Sequence, residues 1–488
     1  MVTQAINRAY SISCVWEAPW GIAFGQQLTS SSSPNLRYIP LETSQQPISI
    51  FATLQQRYDT AFILESVEGP RRLARYTFLG FEPQATIRVE KGNAEIVDRR
   101  KADRRITTCK DPLALLATYN SPLRDRRSGE RYNGGLVGYS SYDLVRYFEK
   151  IPSKGRKSNG FPDLEFGLFE DGIAFDHLKR KAYYFHRGEN REEKVRSAIK
   201  EEPGEEDGSF GRASSNINEE KFCEKVEETK EYIRSGDIFQ AVLSKRYKIP
   251  FKGSLLDFYK ALRKINPSPY MYYLKFGKRE IVGSSPEMLA RKVGRRVESF
   301  PIAGTRPFTA DPARNRALAS ELLQDEKERA EHVMLVDLAR NDLGRVSDYG
   351  TVQVPEFMRV QSYSHVQHIV SRVVGRIRKE LDAFDLFKAV FPAGTVSGAP
   401  KVRAMEIIEE LETTNRGPYA GAVGYFSPNG NADFAITIRT LCAQDGYCYV
   451  QSGSGIVADS VPEQEWNESE RKAAALFTAM EMAQEKHR

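Results

Sequence analysis

The sequence predicts an α+β protein built from antiparallel sheets rather than a doubly wound parallel sheet. Three observations carry this. Strand-like runs come in groups joined by tight turns, and tight turns pair strands antiparallel. Helical periodicity is confined to separate stretches instead of alternating with each strand. Neither a GxGxxG fingerprint nor a P-loop is present: in FPAGTVSGAPK, Lys401 follows Gly398 by three positions, not directly after a glycine.

The elements follow in chain order. Residues 1–36 end in the tract Ser30–Ser33, are poor in acids, and read as a mobile extension rather than a secretory signal. Residues 37–187 carry the strand-like runs Ala61–Leu64, Ala85–Val89, Gly134–Tyr139 and Ala182–His186. Residues 188–218 are charged, rich in Gly and Ser and poor in large apolar side chains, so they are expected to be a linker or mobile loop. Residues 219–484 form the larger unit. It opens with a helix over Glu219–Ser235, stopped by Gly236, and carries a long helical pattern over Asp311–Asn341. A helix over Lys401–Leu411 follows Pro400. A meander comes next: strand Ala420–Phe426, turn SPNGN, strand Asp433–Leu441, turn Asp445-Gly446 and strand Tyr447–Gln451. The last helix, EQEWNESERKAAALFTAMEMA, closes the unit.

Composition narrows the function. The 488 residues are 40% hydrophobic and 28% charged, with a net charge of +6, which suits a soluble protein acting on an anion. No apolar run reaches the ~18–20 residues of a membrane helix. The five cysteines (Cys14, Cys109, Cys223, Cys442, Cys448) form no CxxC pair, which points to a reducing, cytoplasmic setting. The basic run Arg99-Arg100-Lys101 and the pair Arg104-Arg105 lack the interleaved aromatics of a nucleic-acid binder.

Several side chains suggest chemistry. Glu465, Glu468 and Lys472 recur at i, i+3 and i+7, which places them on one helical face. Such a stripe fits a solvated surface as well as a magnesium ion and its anion. Glu331, in DEKERAEHVMLVDLARND, could add a carboxylate from a second helix. Arg439, in DFAITIRTL, is expected to share a strand face with Thr437, opposite Ile436 and Ile438, as a carboxylate clamp or an edge charge. Gly453 and Gly455 in QSGSGIVAD read as a glycine-rich loop that lets a ligand approach the backbone. His332, His365 and His368 cluster along the chain, and SYSHVQHIVS alternates as a strand does.

Taken together, GDIFQAVLSKR, NPSPYMYY, GSSPEML, PIAGTRP, DEKERAEHVMLVDLARNDLGRV, VQHIVS, FPAGTVSGAPKVRAMEII, YAGAVGYF, FAITIRTL and QSGSGIVADSVPEQEW run in one order from about Glu219 to Ala483. In this they resemble the chorismate-utilising enzymes, and FILESVEGPRRLARYTFLG extends the resemblance into the first unit. The resemblance implies antiparallel β-sheets packed face to face and flanked by helices. It implies addition of ammonia to chorismate, loss of the C4 hydroxyl, and release of pyruvate to leave anthranilate. Mg²⁺ would be held by Glu331 and Glu468, with Glu465 beside them. Gly304, Thr305, Tyr419, Arg439, Gly453, Ser454 and Gly455 would bind chorismate. Thr395 and Lys472 would line the pocket, and His368 would move protons.

Two positions separate the branches. Water-adding members carry a lysine where Gln240 stands, and typical aminodeoxychorismate synthases read PIKGT where this chain has Ala303 in PIAGT. Some aminodeoxychorismate synthases lack that lysine, so that branch stays open. No cysteine sits in a Gly-x-Cys-x-Gly setting, so ammonia would come from a separate glutamine amidotransferase subunit, in a heterotetramer of two large and two small subunits. Tryptophan would inhibit from a second site at Leu64, Glu65, Ser66, Asn266, Pro269, Tyr270 and Met271. Glu68-Gly69-Pro70 and Ala74–Gly80 depart from the family's usual EGG and GRYSFIG.

Overall fold

Strands from both ends of the chain enter each of two antiparallel sheets. The computed structural model describes residues 36–67, 75–120, 131–155, 159–363 and 366–486. The extension at 1–35, the Glu68-Gly69-Pro70 departure with Ala74, and His365 lie outside the described residues. Among the described residues, one sheet has 13 strands and the other 12. In the first, Thr60–Glu65 pairs with Tyr270–Phe276, with Leu64 opposite Tyr272. In the second, Gly135–Ser140 pairs with Ala422–Phe426, with Val137 opposite Tyr425.

The sheets face each other across an aromatic core. Phe62, Phe78 and Tyr272 of the first meet Tyr139, Val423 and Tyr425 of the second. Helices Pro47–Arg57, Leu256–Ile265 and Pro462–Glu485 cover the outer face of the first sheet. Helices Pro112–Asn120 and Ala383–Val390 cover the outer face of the second. Full burial of each large apolar side chain contributes about 1.5–3 kcal/mol, so this core is a main source of stability.

The structure corrects four expectations. Residues 188–218 are not a bare linker. They hold the helix Glu192–Lys200, whose Val195 and Ala198 are buried, and the strands Gly208–Phe210 and Ser214–Ser215, which pair with Gln240–Gly253. A short amphipathic helix carries few apolar residues, so composition alone hides it. The described residues accordingly form one compact unit, with both halves in both sheets. The helical run at 311–341 is two helices, Pro312–Gln324 and Glu326–Gly344. Asp325 turns extended there and caps the second by accepting from the Glu328 N–H, just as Asp311 caps the first.

The strand expected over Asp433–Leu441 is two strands, Ala432–Ile436 and Thr440–Gln444. They belong to different sheets, so residues 437–439 carry the chain from one to the other. Arg439 stands at that crossing with φ of 52°, a left-handed conformation that few non-glycine residues adopt. Finally, Gly453, Ser454 and Gly455 are not a loop but part of the strand Tyr447–Ile456. No helix among the described residues is long and apolar enough to cross a membrane. Cys109, Cys223, Cys442 and Cys448 are free thiols.

Candidate active site

The helix Pro462–Glu485 presents Glu465, Glu468 and Lys472 along one stripe. The Lys472 ammonium lies 2.6 Å from a Glu468 carboxylate oxygen and donates to the Gly453 carbonyl at 3.0 Å. Arg439 Nη1 donates to the Lys472 carbonyl at 2.8 Å, tying the sheet crossing to the helix. From the strand Gln240–Gly253, Gln240 Nε2 donates to Glu331 Oε1 at 3.2 Å. Gly455 is where that strand and its neighbour close up: a Cβ there would sit 2.4 Å from Gln240 Nε2. The strand Gly453–Gly455 is thus glycine-rich for backbone approach, though not as a loop.

Opposite strands supply the remaining polar groups. His368 Nδ1 lies 2.7 Å from the Gly304 carbonyl and 3.2 Å from the Thr305 hydroxyl. A carbonyl only accepts, so Nδ1 carries the proton and Nε2 is left as a basic lone pair. Gly304 holds φ of 64°, and a Cβ there would lie 2.7 Å from Leu322 Cδ1. Thr395 stands in the single turn Gly394–Val396, and Tyr419 is buried just before the strand Ala422–Phe426.

Burial and crowding set the charges. Burial raises the Glu331 carboxyl, and the nearby Glu328 and Glu468 carboxylates raise it further. Burial also raises Glu465, with Glu468 adding to the shift. Burial would raise Glu468 as well, but the Lys472 ammonium holds it below the usual range. Burial lowers His368, and the Arg439 guanidinium adds to this, so the ring is neutral at pH 7. Burial lowers Arg439 also, while Tyr419 and Glu468 oppose that. Glu468 thus raises the proton affinity of both Glu331 and Glu465, while Lys472 keeps Glu468 itself ionised. Such a donor set fits a sparsely held divalent cation, for which one or two carboxylates suffice. Among the described residues, no group of three or more His, Cys, Asp or Glu is placed to hold a metal ion, so at most two of these carboxylates would ligate it together.

Sequence reasoning passed over Glu287 at this centre. Glu287, in GSSPEML, is buried, and its carboxyl is pushed up to about 7 by that burial; the Thr395 hydroxyl and Lys472 ammonium beside it only partly oppose this. Glu287 and Thr395 border one cavity of about 410 Å³ with Leu338 and Val390. A lone acid between Pro286 and Met288 makes no pattern. Its only sequence signal is an acid inside an otherwise apolar and small-residue run.

The residues singled out as a second site partly converge. Leu64, Glu65, Ser66, Tyr270 and Met271 line a space of about 480 Å³ between the sheets, together with Tyr76, Phe78, Arg131, Tyr425 and Asp433. Asn266 and Pro269 stand behind this wall: Ser66 donates to the Pro269 carbonyl at 2.6 Å, and Asn266 Nδ2 to Ser284 Oγ at 3.4 Å. Glu65 Oε1 already accepts from Tyr259 at 2.7 Å and Arg263 at 2.9 Å. Asp433, which sequence reasoning missed, brings a second carboxylate, held by Tyr270 at 2.9 Å and Arg291 at 2.7 Å.

Two facing antiparallel sheets of this kind have clear counterparts among known proteins. The family described as chorismate binding enzyme matches residues 59–478, so the chain belongs to that family. The anthranilate synthase component 1 of Methanothermobacter thermautotrophicus is 49% identical over 439 residues, covering 90% of this chain and 93% of that one. The same component from Acetivibrio thermocellus is 44% identical over 473 residues, covering 92% and 94%. The crystal structure of anthranilate synthase component I from Streptococcus pneumoniae aligns with a TM-score of 0.73 at 37% identity, over 84% of this chain and 93% of that one. The menaquinone-specific isochorismate synthase of Escherichia coli shares the fold at 20% identity, with a TM-score of 0.69 over 92% and 95%. Within the family, the chain falls in the anthranilate synthase component 1 branch, with the anthranilate synthase-like fold.

Proposed function

We propose that this chain is the large subunit that converts chorismate and ammonia to anthranilate and pyruvate, a carbon–oxygen lyase reaction and the first committed step towards L-tryptophan. The observation that carries the reading is the joining of Arg439, Lys472, Glu468 and Gly453 at the sheet crossing, with Gln240 and Ala303 in place of two reactive lysines. Arg439 suits one chorismate carboxylate through its guanidinium fork. The Gly453–Gly455 backbone, Gly304, Thr305 and Tyr419 surround the rest of the substrate. Glu331 and Glu468, with Glu465 beside them, would hold Mg²⁺, which would bind the other carboxylate and supply charge neutralisation there. Gln240 has no basic lone pair to activate water, which disfavours hydroxylation. Ala303 has no amine, which disfavours the aminodeoxychorismate reading.

Glu287 and His368 divide the proton work. Glu287, half protonated near neutrality, gives its proton to the departing C4 hydroxyl. His368, held neutral by burial and with Nε2 unprotonated, takes the ring proton as pyruvate leaves and the ring becomes aromatic. Ammonia comes from a glutamine amidotransferase subunit, in a cytoplasmic assembly of two large and two small subunits.

The purified chain is expected to form fluorescent anthranilate from chorismate, ammonium and Mg²⁺, and to ignore glutamine until the amidotransferase is added. A 4-amino-4-deoxychorismate product would replace this reading with the aminodeoxychorismate one. Use of glutamine by the chain alone would show a glutaminase within it.

The space lined by Glu65, Ser66, Tyr270 and Asp433 suits L-tryptophan. It offers two carboxylates near the place of an ammonium and an aromatic wall for an indole. Its effect on chorismate affinity, typically ~1–3 kcal/mol, must be reciprocal. Ser66→Arg is expected to fill this space and leave an active enzyme insensitive to millimolar tryptophan. Inhibition persisting in that variant would move the regulatory site elsewhere.

A further inference from the structure

Behind the candidate site lies a buried guanidinium whose contacts reach three of the segments that form it. Arg416 is 2% exposed. Its Nε and Nη2 donate to the two oxygens of Glu412, at 2.9 and 2.7 Å. Nη1 donates to the Val396 carbonyl at 2.7 Å, and Nη2 also donates to the Val242 carbonyl at 2.7 Å. The guanidinium carbon stands 4.6 Å from the Tyr142 ring centre and 5.6 Å from that of Tyr419.

Each contact leads to the site. Val396 follows Thr395 in the same turn. Val242 lies two positions after Gln240 and pairs with Gly455 across the sheet. Tyr419 belongs to the expected chorismate wall. Glu412 is fixed in turn: its Oε1 accepts from the Ser244 N–H at 2.9 Å and the Ser244 hydroxyl at 2.6 Å. Gln451 then donates to that hydroxyl at 2.8 Å. A guanidinium is planar and its N–H groups form a fixed fork, so it sets the spacing of what it binds; a lysine ammonium cannot bridge both carbonyls and the carboxylate in that geometry. A buried pair adds little stability over apolar residues of the same shape, so stability alone does not account for it.

We propose that Arg416 is a positioning residue for the chorismate pocket. Through the Val396 and Val242 carbonyls it fixes the gap between the Thr395 turn and the Gln240 strand, and through its face it fixes the tilt of Tyr419. It does not touch the substrate. The inference rests on the proposed reaction.

The test compares wild type with Arg416→Lys and with the double variant Arg416→Met/Glu412→Gln. The double variant leaves no unpaired buried charge and keeps an acceptor for Ser244. Arg416→Lys keeps the ion pair and the fold, and decides the matter if the double variant does not fold. Steady-state kinetics with ammonium are read beside circular dichroism. Misplacement by about 1 Å costs on the order of 10²-fold in rate, so kcat/KM for chorismate is expected to fall at least about tenfold while the ammonium KM stays that of wild type. A wild-type kcat/KM for chorismate in a folded variant overturns the inference, and so does a roughly tenfold rise in the ammonium KM as well, which marks general loosening. Wild type that makes no anthranilate sinks the proposed reaction instead, so the two failures are distinct.

Discussion

Glu468→Gln is expected to leave a folded protein that makes anthranilate roughly 10³-fold more slowly at any accessible Mg²⁺ concentration. The side chain is 42% exposed and its described ion pair is with Lys472, so a neutral replacement at this surface disturbs stability by no more than about 0.5 kcal/mol. Function is different. A sparse magnesium site keeps only one or two protein carboxylates, so the loss of one removes about half of its protein charge. Lewis-acid stabilisation amounts to several kcal/mol, and about 4 kcal/mol corresponds to roughly 10³-fold in rate. Anthranilate fluorescence across a Mg²⁺ titration, read beside circular dichroism, checks this. Full activity at low Mg²⁺ would remove Glu468 from the metal site.

The second large effect falls on Glu287. With its carboxyl pushed up to about 7, the protonated donor is abundant below that pH and disappears above it. The rate per molecule of free ammonia should therefore fall as pH rises through about 7, even though the supply of free ammonia grows. Glu287→Gln cannot lend a proton. It is expected to lower kcat about 10²–10⁴-fold, the usual worth of general acid catalysis, and to abolish that alkaline limb. A variant with the wild-type profile would leave proton transfer to other groups.

How much of this was legible depends on what each signal measures. The stripe of Glu465, Glu468 and Lys472 could be read because helical periodicity is a local property. The α+β class and the antiparallel pairing could be read because tight turns dictate it; that the sheets face each other came only from the family resemblance. Arg439 was singled out, yet its setting was misread: the break at Thr437–Arg439 comes from the chain changing sheets, which is a tertiary decision. The break at Asp325 was concealed because a capping aspartate inside a periodic run looks like one more polar position. Glu287 was invisible because only its burial distinguishes it from any other acid. The segment at 188–218 misled because composition averages away a one-faced helix. The second site was half legible: Leu64, Glu65 and Ser66 come from one strand end, but Asp433 arrives from a strand remote in sequence.

The interleaving of both chain ends in each sheet also sets a schedule for biosynthesis. Ser66 must wait for Pro269, 203 positions later, and Asn133 for Ser427, 294 positions later. At ~5–20 residues per second, the first interval alone lasts about 10–40 s on the ribosome. Throughout it, Thr60–Glu65 keeps an unpaired edge, and the inward aromatic face that holds Phe62 and Phe78 can meet only the early part of the opposing sheet, where Val137 and Tyr139 stand, while Val423 and Tyr425 are still to come. Neither sheet can close until its last strands, Ala432–Ile436 and Tyr447–Ile456, have emerged. The nascent chain thus carries unpaired strand edges through most of its synthesis, and neither sheet is complete until near release.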